Sequence, residues 1–170
     1  QVLANYAVHH QTGEALPTHL MEQLVAKQNA SHNVTSAIET FQLIAAAVLD
    51  LELHLAPDIT ATWEAFERQA LHKHGLDSSW LHPRYGTGNF GHIFRGIYAS
   101  AFYSYLWGDV FAADAWAFIQ ENGGLTRENG QHLRDKILSR GNSVDFLDAF
   151  MAYRGNQPNP TAFLKERGIA

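Results

Sequence analysis

The stretch "GHIFRGIYASAFYSYLW", residues 91–107, gathers a histidine, His92, and the rings Tyr98, Phe102 and Tyr105 around a glycine at 96. If the chain is helical after Gly96, positions seven apart nearly eclipse, so Tyr98 and Tyr105 share a face with Phe102 between them. Two phenol hydroxyls beside an imidazole could hydrogen-bond a carbonyl oxygen as it becomes the oxyanion of a tetrahedral intermediate. The same rings could instead be core residues whose hydroxyls find backbone partners. Spacing alone leaves both readings open.

Other chemistries leave fewer traces. The chain has ten histidines and no cysteine, which removes disulfides and thiolate zinc sites. No H-E-x-x-H or Glu-x-x-His occurs, and His72 and His74 would point to different sides of a helix, so no metal ligand set is expected within the chain. A histidine metal-binding bundle is disfavoured on the same ground. No G-x-S-x-G nucleophile motif is present either. The formal net charge is -5 and the basic residues are scattered, which gives phosphate backbones no footprint; no nucleic-acid partner is expected. The most apolar long run, 98–119, is broken by Asp109 and Asp114, so no membrane span is expected. A cysteine-free chain suits a reducing compartment, and the cytoplasm is the expected location.

The elements that must position these residues read as helix, break, helix throughout 1–170, a single helical region with 46% hydrophobic and 17% charged residues. A helix end is expected over 4–10, stopped by "TGE" at 12–14, with Pro17 at a following helix start. Over 34–55, Ile38, Phe41, Ala45, Val48 and Leu55 form an apolar stripe, with Glu39, Gln42, Asp50 and His54 on the opposite side. Thr60 or Thr62 caps the next helix, whose stripe is Trp63, Phe66 and Ala70 and which Gly75 closes. "HPRYGTGNFG", 82–91, is expected to be the most mobile loop. From Gly96 to about Glu121 a helix that is apolar almost all round belongs inside the molecule. Gly123 and Gly124 end it, Thr126 and Ser143 cap two further helices, and Asn159-Pro160 starts a last one. Gln1, with no basic-then-apolar leader after it, reads as the start of a processed chain or of a piece of something longer.

"HIFRGIYASAFYSYLW" resembles the His, Gly-rich, Tyr-Leu-Trp segment of the M3 family of zinc oligopeptidases, most closely its peptidyl-dipeptidase branch. "HHQTGEALP", "GGLTRENG", "ILSRGNS" and "AFLKERGI" resemble the same branch in the same order, so the likeness spans the chain. It implies an all-α, multi-helix C-terminal part of a zincin-like helical peptidase, forming wall and floor of a channel that admits peptides. The family's zinc is held by an H-E-x-x-H helix and a later glutamate, both upstream of the region this chain resembles. The resemblance makes Tyr105 the catalytic tyrosine that hydrogen-bonds the developing oxyanion. It makes His92, Gly96, Tyr98 and Phe102 substrate-binding. Partners would be an oligopeptide and the missing N-terminal portion, the reaction would release C-terminal dipeptides, and this chain alone would be inactive. A non-catalytic helical peptide-binding or structural module descended from such an enzyme is the alternative. Relatives have consecutive glycines where this chain has Arg95-Gly96-Ile97, and many have a tyrosine where it has Phe102; the added side chains are expected to stiffen and narrow the approach.

Overall fold

A computed structural model describes residues 6–169, apart from the side chains of 29–34. The start of the helix end expected over 4–10 therefore lies outside the described residues. From Val8 the chain is a turn, closed by an isolated antiparallel bridge between Val8 and Ala15 and reversed at Gly13, whose φ is 72°. Helix α1 then runs Thr18–Leu55, 38 residues with Pro17 at its N-cap, about 57 Å long at 1.5 Å per residue. It starts well before residue 34. No side chain caps its N-terminus, and Pro17, the expected helix start, marks it.

The working part of α1 is its last third. Ala45, Ala46, Ala47, Leu49 and Leu53 are buried there, and the run of alanines lets neighbours approach on two sides. Ala45 and Leu49 pack on Ala70 and Leu71 of α2, Trp63–Lys73. Ala46, Ala47 and Leu53 pack on Phe90, Ile93 and Phe102. The expected single stripe is thus corrected: Ile38 and Leu55 are exposed, while Asp50, assigned to the solvated side, is fully buried. Burial on both flanks of one helix blurs the periodicity that a one-sided helix would show.

Local signals set α2 as expected. Thr62 Oγ1 accepts from Ala65 N at 3.3 Å, and the chain leaves through Gly75 at φ +67°, a left-handed position that suits glycine. The following loop is pinned where mobility was expected. Arg84 N donates to the Gln42 carbonyl at 3.2 Å, Thr87 N donates to the Glu67 carboxylate, and Phe90 is buried. Three short 3-10 turns follow, Thr87–Asn89, Gly91–Phe94 and Gly96–Tyr98.

Helix α3 is Ser104–Glu121, so it begins at 104 and not after Gly96. Nor is it enclosed: Val110, Ala113, Asp114 and Ile119 are buried, but Trp107 and Trp116 are largely open. Gly123 and Gly124, both at positive φ, end it. Helix α4, Arg127–Leu133, starts on a Thr126 cap and runs into a π turn, Arg134–Leu138. Helix α5, Phe146–Arg154, is capped by Asp145, which accepts from Leu147 N and Asp148 N; this replaces the expected Ser143 cap. Two amide acceptances by a carboxylate beat one by a hydroxyl. Helix α6, Thr161–Glu166, follows Asn159, whose Oδ1 accepts from Thr161 N at 2.9 Å, and its Phe163 packs on Val110 and Ala113 of α3. Among the described residues the architecture is all-α, and no helix is long and apolar enough to cross a membrane.

Candidate functional site

Between the end of α1 and the start of α3, the 3-10 turns bring His92, Tyr98 and Tyr105 together. His92 Nε2 lies 2.9 Å from the Tyr105 hydroxyl. The His92 and Tyr98 rings are 4.4 Å apart, and the Tyr98 and Tyr105 rings stack at 5.9 Å with 6° between their planes. Phe102 is buried beneath them, 5.0 Å from the Tyr105 ring and edge-on to Phe90 at 4.9 Å. It supports the cluster from the core and offers no face to the opening. Tyr105 by contrast remains 39% exposed, so its ring is not a core ring.

The expected grouping is present, but it is built differently. A helix face does not join Tyr98 to Tyr105, because residues 99–103 form a turn in which Ser100 takes φ 58°. A non-glycine residue there costs about 1–3 kcal/mol and persists only where surroundings fix it. Asp50 fixes it. The carboxylate accepts from Ser100 N at 3.0 Å and from Phe102 N at 2.9 Å, and His54 Nδ1 lies 2.9 Å from one of its oxygens. That same Nδ1 is 2.8 Å from the Asp50 carbonyl oxygen; with two acceptors in front of it, Nδ1 carries the proton. Sequence reasoning placed Asp50 and His54 on a polar face. The trace that could have found them is an aspartate set inside "LIAAAVLDLELHL" with a histidine four residues later, on one helix face.

Burial, then the neighbouring Tyr98 hydroxyl, raises the Tyr105 pKa above the ordinary phenol value. Tyr105 therefore keeps its proton through neutral and mildly alkaline pH, as a hydrogen-bond donor must. If His92 Nε2 carries its proton and donates to the phenol oxygen, the phenol hydrogen is left free to point outward. Gly91, His92, Arg95 and Tyr98 line an open concavity of about 470 Å³ at this point. Gly96 turns the chain at φ +69° with open space where a Cβ would stand, and Ile97 projects into solvent. Of the two departures flanking Gly96, Arg95 is therefore the one that borders the concavity.

Two larger hollows lie along α3. One of about 710 Å³ contains Asp114, Glu121 and Arg154, but these charges are spent on one another. The other, about 480 Å³, is lined by Phe111, Trp116, Ile137, Phe146 and Phe150 among others and is almost wholly apolar. Neither joins a hydroxyl to an imidazole. No three His, Asp or Glu among the described residues gather as a metal site, and the oxygens of Asp50 are already taken by amides and an imidazole. The donor set for a zinc ion does not fit here.

The family model described as peptidase family M3 matches residues 1–169. The chain is 39% identical over 173 residues to a dipeptidyl carboxypeptidase of Salmonella typhimurium, covering 99% of this chain and 25% of that protein. It is 37% identical over 173 residues to oligopeptidase A of Escherichia coli, covering 99% and 24%. The chain thus spans about a quarter of the length of these relatives. With a family match across nearly every residue and an all-helical fold to accompany it, the chain belongs to peptidase family M3.

Proposed function

We propose that these 170 residues are the substrate-binding part of a metallopeptidase that hydrolyses oligopeptides and releases C-terminal dipeptides. The observation that carries the reading is the 2.9 Å contact between His92 Nε2 and the Tyr105 hydroxyl, at a ring-lined surface open to solvent. Tyr105 is the donor to the carbonyl oxygen as it gains charge. His92 orients that hydroxyl, Tyr98 stacks against it and meets the substrate, and Gly96 lets the backbone turn beside the peptide. Phe102 keeps the rings at their height from below. A relative named dipeptidyl carboxypeptidase, matched over 99% of this chain, supports the dipeptide product.

Zinc would supply the activated water in such an enzyme, held by residues outside this chain, since those described here do not form its donor set. The apolar hollow on α3 and the open Trp107 and Trp116 suit packing by the N-terminal portion of the same protein. The cytoplasm is the proposed location.

The test is incubation of the full-length protein with blocked and free oligopeptides and identification of products by mass spectrometry. Dipeptides released stepwise from the free C-terminus, with loss of turnover on chelation, support the reading. Internal cleavage without dipeptide release would make it an endo-acting oligopeptidase, and peptide binding without cleavage would favour a non-catalytic module.

A further inference from the structure

We infer that Asp50 is a positioning residue for Tyr105: its buried carboxylate breaks the helix that the sequence would otherwise continue from Gly96, and so brings the two tyrosines side by side. The inference rests on the proposed role of Tyr105. The sequence reads as helix from Gly96 to about Glu121, yet the regular helix starts only at Ser104. In an unbroken helix Tyr98 and Tyr105 would be separated by about 10.5 Å of rise. They lie instead with ring centroids 5.9 Å apart, and His92 reaches both.

Among the described residues the only carboxylate bonds to the intervening turn are those of Asp50, which takes the amides of Ser100 and Phe102 from across the α1 interface. Two amides two residues apart are held on one carboxylate, which fixes the left-handed Ser100 between them. Asp50 is 0% exposed, so water cannot take its place without opening the core. Its hydrogen bonds go to the amides of the turn that bears the rings, and it acts through that turn.

The experiment is a double-mutant cycle in the full-length enzyme, with kcat, KM and melting temperature measured for each variant. Asp50→Asn keeps the size of the side chain but sets an NH2 group against one of the amides. It is expected to lower kcat by about tenfold or more with little change in KM, since sub-ångström to ångström misplacement of a catalytic group is that costly. In a Tyr105→Phe background the same change should cost less than about twofold, because the group it positions is already gone. Equal losses in both backgrounds would overturn the inference, as would a fall in kcat matched by the fraction unfolded. If Asp50→Asn does not fold, His54→Gln removes the imidazole that lies 2.9 Å from the carboxylate while leaving both amides in place. It should give a smaller loss, about threefold, with the same dependence on Tyr105; a loss independent of Tyr105 would again overturn it. Should Tyr105→Phe alone leave kcat intact, the oxyanion reading fails first, and the route through Tyr105 fails with it. A reduced Tyr105→Phe enzyme with independent Asp50 effects would sink this inference only.

Discussion

Asp50 and Asp114 are the same residue in nearly the same setting, yet they hold different things. Each is buried within a long apolar helix, and each accepts a backbone amide from a neighbouring turn. Asp114 Oδ1 also pairs with Arg154 Nε at 2.9 Å, and the rest of that guanidinium forks onto Glu121 at 2.6 and 3.0 Å while lying over the Phe118 ring. The charge of Asp114 is thus met by a cation, and the network ties α3 to α5 and to the turn before α6. Among the described residues no lysine or arginine pairs with Asp50; its partners are two amides and the imidazole of His54. The first arrangement joins elements that would pack anyway, whereas the second imposes on a turn a shape its own sequence would not choose. Where a buried carboxylate works against local preference, the structure it imposes bears the exposed hydroxyls.

Asp114→Ala is the largest test of this contrast. Arg154 keeps its fork on Glu121, but its Nε and the Asn159 amide lose their acceptor, at a cost of about 1–3 kcal/mol for each group left unpaired. Denaturant or thermal melting of the full-length protein should show that loss while kcat per folded molecule is unchanged. A fall in kcat without loss of stability would erase the distinction between the two aspartates.

Gly96→Ala comes next. At φ +69° an alanine is strained by about 1–2 kcal/mol even with open space around it, and the strain falls on the turn next to Tyr98. A modest drop in melting temperature with a rise in KM is the expected pair of changes; melting unchanged would mean that the backbone there is free to shift.

The smallest effect concerns pH. Hydrogen bonds from Lys73 and His74 hold the Glu52 carboxyl below its usual value, and the Arg154 fork does the same for Glu121. Both pKa values are lower folded than unfolded, so their contribution is present above the unfolded value and is lost as pH falls through the folded one. Urea midpoints should therefore decline below about pH 5. Glu121→Gln should flatten part of that decline, and Glu52→Gln another part.

The sequence showed α2 well, because its signals are local: Thr62 to start it and Gly75 to stop it. It also brought His92, Tyr98 and Tyr105 to one place, though through a helix face where the structure uses a turn. The start of α3 could not be read locally, since what moves it from Gly96 to Ser104 is a carboxylate some fifty residues upstream. The contacts of the loop at 82–91 were hidden for a like reason, its amides being bound by Gln42 and Glu67 far along the chain. The open tryptophans of α3 escaped for another cause. All-round apolarity says that a helix is covered, and this chain makes up only a quarter of the length of its relatives.

The central claim is that the Tyr105 hydroxyl acts on charge that develops during the reaction. Tyr105→Phe in the full-length enzyme, with steady-state kinetics and melting measured together, tests it most directly. Loss of one oxyanion donor should lower kcat by about a hundredfold or more while KM changes little. Because the hydroxyl is partly exposed, the melting point should move by no more than about 1 kcal/mol of stability implies. An unchanged kcat with a lowered melting point would contradict the account and make Tyr105 a structural ring.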